Sequence, residues 1–149
     1  MSDKYDAIRL RNQLCFPLYL CAKEVTRRYA PFLAELDLTY TQYVVMMYLW
    51  EFEGCTVREM GDCLMLDPST LTPLLKKLES KGYITRTRSE TDERSLNIGL
   101  TDAGSQLKDK ALNVPEQMKC CIGLTCEEGA QLGALLAKVL KNIEDSEKE

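Results

Sequence analysis

Residues 66–104 read LDPSTLTPLLKKLESKGYITRTRSETDERSLNIGLTDAG, and two periods meet inside this stretch. From Pro68 the apolar residues Leu71, Leu74, Leu75 and Leu78 recur at helical spacing, so they line one face of a helix that Lys81 and Gly82 close. Ser69, Thr70, Thr72, Pro73, Lys76 and Lys77 fall on or near the opposite face. After Tyr83 the period becomes two. Leu96, Ile98 and Leu100 alternate with Ser95, Asn97 and Gly99, and residues 84–87 are the natural partner strand across a long charged loop. A helix followed by a hairpin is expected.

Upstream, Thr39 with Gln42 and Thr56 with Glu59 are capping boxes. The first opens a helix running to Trp50 and stopped by Gly54. The second opens a short helix that finishes near Leu64, before Asp67 and Pro68 announce the next. A short helix, a tight turn and a second helix with a polar outward face make a helix-turn-helix, and the hairpin makes it winged.

Further out, Leu10, Leu14, Leu18, Cys21, Ala22 and Val25 line one stripe of a long helix over 8–25, in which Pro17 predicts a kink or an irregular turn near Cys15. Downstream, Thr101 caps a helix that ends before Pro115. Thr125 with Glu128 opens a last helix whose stripe is Leu132, Leu135, Leu136, Val139, Leu140 and Ile143. The expected fold is mainly α with a small β-hairpin: a single domain over 1–149, with a winged helix-turn-helix at about 38–100. Helices at about 5–30 and 102–145 carry more apolar surface than the centre covers, so a homodimer is expected.

Composition narrows the function. The chain has 149 residues, 45% hydrophobic and 28% charged, and no apolar run near the roughly 20 residues a bilayer span needs. Charges occupy the first residues where a signal peptide has its apolar stretch, so no membrane partner and a cytoplasmic location are expected. Seven cysteines, an odd number, argue against a disulfide framework in a reducing compartment. With no histidine, His-assisted nucleophiles and mixed Cys/His zinc sites are excluded. Cys120, Cys121 and Cys126 have no usual zinc spacing, and adjacent cysteines fit one tetrahedral ion poorly. Neither a metal nor a cofactor is expected, and the chain does not read as an enzyme.

Within residues 68–88, Lys76, Lys77, Lys81, Arg86 and Arg88 oppose Glu79 alone, a local +4 in a chain of net charge −4. That concentrates attraction for phosphate on one face. Ser69, Thr70, Thr72 and Lys76 are donors suited to a major groove, with Lys77 beside them, while Arg86, Arg88 and Arg94 on the wing suit the minor groove. The alternative is a merely solvated face.

The stretch 66–104 resembles the recognition helix and wing of MarR-family transcriptional regulators, with Asp92, Arg94 and LTDAG matching the wing-to-helix signature. The resemblance implies that Asp92 orients Arg94 toward the minor groove, and that a dimer binds pseudo-palindromic double-stranded DNA. The segment 10–43, LRNQLCFPLYLCAKEVTRRYAPFLAELDLTYTQY, resembles the organic-hydroperoxide-sensing OhrR type within that family. It implies a repressor released from DNA when an organic hydroperoxide oxidises Cys15, with Tyr19, Tyr29 and Tyr40 around the thiol and the cysteine of one subunit meeting tyrosines of the other. The run VPEQMKC resembles members with a resolving cysteine, pointing to Cys120. Cys121 beside it and Cys126 at a helix N-terminus stay open as alternatives.

Physical chemistry supports the implied sensor. Peroxides are attacked by thiolate, and a free cysteine with a pKa of about 8.5 is mostly thiol at neutral pH. Phenolic hydroxyls from Tyr29 and Tyr40 would donate hydrogen bonds to the anion, and Arg11, four residues before Cys15, would add positive potential. Apolar Leu14, Phe16 and Leu18 favour an apolar hydroperoxide. The competing reading of Cys15 is a buried packing residue, which is the reading preferred for Cys21, Cys55 and Cys63. Tyr43 and Tyr48 read as core. Two rival functions remain: a regulator released by a small aromatic ligand in the dimer cleft, and a peroxidase in which Cys15 turns over.

Overall fold

The computed structural model describes residues 4–52, 54–88 and 96–146. Among these residues the order is α1 (Cys15–Ala34), α2 (Tyr40–Glu51), β1 (Cys55–Thr56), α3 (Val57–Leu64), α4 (Pro68–Ser80), β2 (Ile84–Arg88), β3 (Leu96–Leu100), α5 (Asp102–Ala111), α6 (Val114–Ile122) and α7 (Cys126–Ser146). The chain divides into two compact units, residues 1–114 and 115–149.

All three capping boxes form. Thr39 and Gln42 exchange side-chain and backbone hydrogen bonds at the start of α2, Thr56 and Glu59 do so at α3, and Thr125 and Glu128 do so at α7. The Thr56 amide, then its hydroxyl, hold the Glu59 carboxyl below its usual range. After α3, Met65 takes a left-handed conformation (φ 52°) and the Leu66 amide bonds back to the Gly61 carbonyl at 3.0 Å, which turns the chain into α4. A Cβ at Gly61 would stand 3.0 Å from the Leu66 carbonyl oxygen and 3.3 Å from Leu71 Cδ1 of α4, so the close approach of α3 to the turn and α4 favours glycine there.

The core lies between these elements. Leu33, Val45, Met46 and Leu49 pack with Met60, Leu71, Leu75, Leu78, Ile84, Ile98 and Leu107. The helical spacing of the leucines of α4 thus buries one face and leaves Ser69, Thr70, Thr72, Lys76 and Lys77 exposed.

The structure differs from expectation at three places. The long helix begins at Cys15, after two short 3-10 turns, and not near residue 8. Pro17 is its third residue, where a backbone N–H has no intrahelical partner, so proline fits the first turn, and the irregular turn expected near Cys15 lies just before it, at residues 13–14. The hairpin is completed to a three-stranded antiparallel sheet of order β1-β3-β2, with Cys55 opposite Ile98 and Thr56 opposite Asn97. An extra helix, α6, follows α5, with Pro115 in its first turn.

Apolar surface is left uncovered on the outer helices. On α1 Tyr19 is 62% and Leu20 39% exposed, on α7 Leu135 is 63% exposed, and none of the residues of α7 is buried. No helix among the described residues is long and apolar enough to cross a membrane.

Candidate nucleic-acid interface and thiol site

The recognition face is built by α4. Asp67 precedes it in extended conformation and Pro68 opens it, while the buried leucines fix its rotation. Ser69, Thr70, Lys76 and Lys77 point away from the core, and Thr72 does so while donating its hydroxyl hydrogen to the Pro68 carbonyl at 2.7 Å. Two of the five basic residues have structural partners. Arg86 donates from Nε at 2.9 Å and from Nη2 at 2.5 Å to Glu79 Oε2, locking the first wing strand onto α4. Lys81 reaches the Asp37 carboxylate at 3.1 Å, and also the Asp37 carbonyl, tying α4 to the loop before α2. Among the described residues Lys76, Lys77 and Arg88 have no such partner and are exposed. Asp92 and Arg94 lie outside the described residues.

The thiol site begins at the head of α1. Cys15 is exposed, and Tyr19, one turn on, is 62% exposed. Arg11 does not share a helix with Cys15: it lies in the preceding 3-10 turn, 3.9 Å from Asp6, so the same-face argument for it fails. Tyr29 and Tyr40 pack with ring centroids 4.9 Å apart and planes tilted by 54°, and Tyr43 lies 6.0 Å from Tyr29. Burial, reinforced by Tyr40, raises the pKa of Tyr29, and burial raises that of Tyr43, so both remain hydrogen-bond donors at neutral pH. At 1.5 Å per residue, Tyr29 is about 21 Å along α1 from Cys15. A single chain therefore does not bring Cys15 to Tyr29. Tyr43 is buried as expected of a core residue, yet it also extends the tyrosine cluster, which its sequence position in the apolar α2 did not reveal.

Cys120, Cys121 and Cys126 are all exposed, the last as the first residue of α7. Cys21 and Cys63 are exposed as well, against the packing expectation, because the faces they occupy are not covered within the chain. Cys55 is buried as expected, and burial followed by Glu59 pushes its thiol up to about 11. Iodoacetamide at pH 8 is therefore expected to spare Cys55 in the native protein and to modify it in urea, read by peptide mass mapping. A raised thiol pKa stabilises the fold below the unfolded value, and this contribution is lost as pH climbs toward 11.

Comparison with known proteins places this architecture. Residues 27–111 match the transcriptional regulator SarA/Rot family, a span from the second half of α1 to the end of α5. The organic hydroperoxide resistance transcriptional regulator of Bacillus subtilis (strain 168) is 47% identical over 135 residues, covering 91% of this chain and 90% of that protein. The chain belongs to the MarR/SarA winged-helix regulators. Among solved members, reduced AbfR bound to DNA, a protein of Staphylococcus epidermidis, superposes with TM-score 0.77 at 36% identity, covering 95% of this chain and 99% of that one. A disulfide-formed AbfR superposes with TM-score 0.66 at 36% identity, over 94% of this chain and 96% of that one. Regulators of this fold thus include DNA-bound and disulfide-linked states.

Proposed function

We propose that the protein is a dimeric cytoplasmic repressor that binds pseudo-palindromic DNA when Cys15 is reduced and leaves it when an organic hydroperoxide oxidises Cys15. The carrying observation is the exposed thiol at the head of α1 in a chain whose relative is a hydroperoxide-resistance regulator. The uncovered apolar faces of α1 and α7 supply the dimer interface; the roughly 21 Å between Cys15 and Tyr29 along α1, with Tyr40 packed against Tyr29, supports the assignment of both tyrosines to the thiol of the other subunit. Tyr19 flanks its own Cys15 one turn on. Ser69, Thr70, Thr72, Lys76 and Lys77 enter the major groove, and Arg88 and Arg94 reach the minor groove from the wing, Asp92 orienting Arg94; Arg86 holds the wing in place through Glu79.

In the chemical step the Cys15 thiolate attacks one peroxide oxygen of ROOH. An S–O bond forms, the O–O bond breaks, and ROH leaves after taking a proton, giving the sulfenic acid. A thiol of the partner subunit, assigned to Cys120, then displaces water and closes an intersubunit disulfide. Each thiol reacts once and does not turn over. The bond shifts the dimer away from the spacing that fits two half-sites about one DNA turn apart.

The test selects duplexes from a random pool with reduced protein, then measures affinity before and after one equivalent of cumene hydroperoxide per subunit. A dyad-symmetric site and a loss of affinity of about 5- to 150-fold are expected. Affinity unaffected by the hydroperoxide would overturn the redox reading. On the same duplex, Lys76→Gln and Arg88→Gln are each expected to weaken binding without altering sequence preference. Each lost phosphate contact flattens the log–log salt dependence by about one.

A further inference from the structure

A groove opens beside the recognition face, lined by Thr39, Thr41, Gln42, Thr70, Pro73, Leu74 and Lys77. Its floor is the start of α2, a helix of 12 residues. The Gln42 amide is taken by the Thr39 hydroxyl and the Tyr43 amide by the Thr39 carbonyl, whereas the amides of Tyr40 and Thr41 belong to the first turn and have no intrahelical acceptor. Such a helix end attracts anions.

The side chain of Gln42 points to a ligand independently. It is 3% exposed, and its Oε1 accepts from the Thr39 amide at 3.0 Å and from Lys81 Nζ at 3.5 Å. Two donors on Oε1 fix which end of the amide is oxygen, so Nε2 is the other end. Among the described residues that Nε2 has no acceptor, and it is not sealed from solvent. A nearly buried NH2 group with two hydrogens to donate thus stands at a groove that also holds Lys77, Thr41 and two open backbone amides. No carboxylate lines the groove: its polar side chains are Lys77, Gln42 with its oxygen already taken, and threonine hydroxyls, while Pro73 and Leu74 are apolar. The nearby Asp37 carboxylate is neutralised by Lys81.

We infer that this groove seats a phosphodiester of the DNA backbone, held by Gln42 Nε2, Lys77 Nζ and the start of α2 while α4 lies in the adjacent major groove. The inference rests on the DNA-binding reading and extends it to Thr39, Thr41 and Gln42, which fix register on the duplex and carry no base specificity. A hydrogen bond to a charged group is worth roughly tenfold or more in affinity, and a dimer has two seats.

Two variants test it, neither of which removes a fold contact. Gln42→Glu keeps an oxygen for the Thr39 amide and for Lys81 but replaces the NH2 donor by a second anionic oxygen. Thr41→Asp places a carboxylate in the first turn of α2, which favours the helix while repelling phosphate. Thr41→Asp is expected to unfold at or above the wild-type temperature and Gln42→Glu, with its carboxylate nearly buried, at a somewhat lower one while still folded at about 25 °C; both are expected to bind the selected duplex about 100-fold more weakly and to flatten its salt slope by about two per dimer. Wild-type affinity and slope in both variants would overturn the seat while leaving the DNA-binding reading intact. Failure of the wild type to select any duplex would overturn both.

Discussion

Replacing Gly104 by alanine is expected to lower the melting temperature by about 10 °C, a loss of roughly 3 kcal/mol, although alanine normally improves a helix by about 1 kcal/mol over glycine. The sign is reversed because of where the first turn of α5 lies. A Cβ on residue 104 would press into the Tyr83 carbonyl oxygen and stand 2.9 Å from the carbonyl carbon, with Leu100 Cδ2 at 3.2 Å. Neither side of this contact is free to retreat. The Tyr83 carbonyl already accepts from the Thr101 amide at 3.1 Å, and the Thr101 hydroxyl donates to the Gly82 carbonyl at 2.6 Å. On the other side Trp50 Nε1 donates to the Gly104 carbonyl at 2.9 Å, and Lys108 Nζ reaches the Trp50 carbonyl at 3.1 Å. Inserting a methyl group there pushes α5 off both the wing and α2. Thermal unfolding followed by circular dichroism decides the matter: an unchanged or higher midpoint would show that the junction yields.

This junction also explains which parts of the fold were legible. LTDAG matches a family signature, and its physics is a cap at Thr101, local to five residues, followed by a glycine whose close approach is to Tyr83, distant in sequence. The capping boxes at Thr39, Thr56 and Thr125 and the alternation of residues 96–100 are equally local, and all of them formed. What escaped depends on contacts distant in sequence or on elements too short to have a period. β1 has two residues, and Thr56 serves there as strand and cap at once. Pro17 and Pro115 were read as interruptions because proline breaks helix interiors, but both occupy first turns, where the missing N–H costs nothing. The ion pair of Arg86 with Glu79 joins a strand to a helix, so counting charges placed Arg86 among the free cations when its guanidinium already holds the wing. The tyrosine cluster is similar: Tyr29 and Tyr40 stand out by resemblance, whereas the tilted packing of Tyr29 against both Tyr40 and Tyr43 follows from how α1 and α2 pack.

Cys15→Ser is expected to abolish the response to hydroperoxide: the treated protein should hold its duplex as tightly as the untreated one, where the wild type loses about 5- to 150-fold. Serine preserves the size and exposure of the side chain but offers a hydroxyl that does not attack peroxide at neutral pH, so DNA affinity in the reduced state should be unaffected. Cys120→Ser separates sensing from resolution. Its Cys15 still reacts with the first equivalent, so intact mass rises by one oxygen per subunit, but a non-reducing gel shows no linked dimer, and excess oxidant drives Cys15 further up the oxidation ladder. The wild type, by contrast, gives a reducible dimer in which peptide mapping joins Cys15 to Cys120. A linked dimer persisting in Cys120→Ser would move the resolving role to Cys121 or Cys126, both of which are exposed. Release of DNA by the Cys15→Ser protein on oxidation would remove Cys15 as the sensor altogether. The remaining exposed thiols, Cys21 and Cys63, would then be the candidates, with Cys55 excluded by its burial.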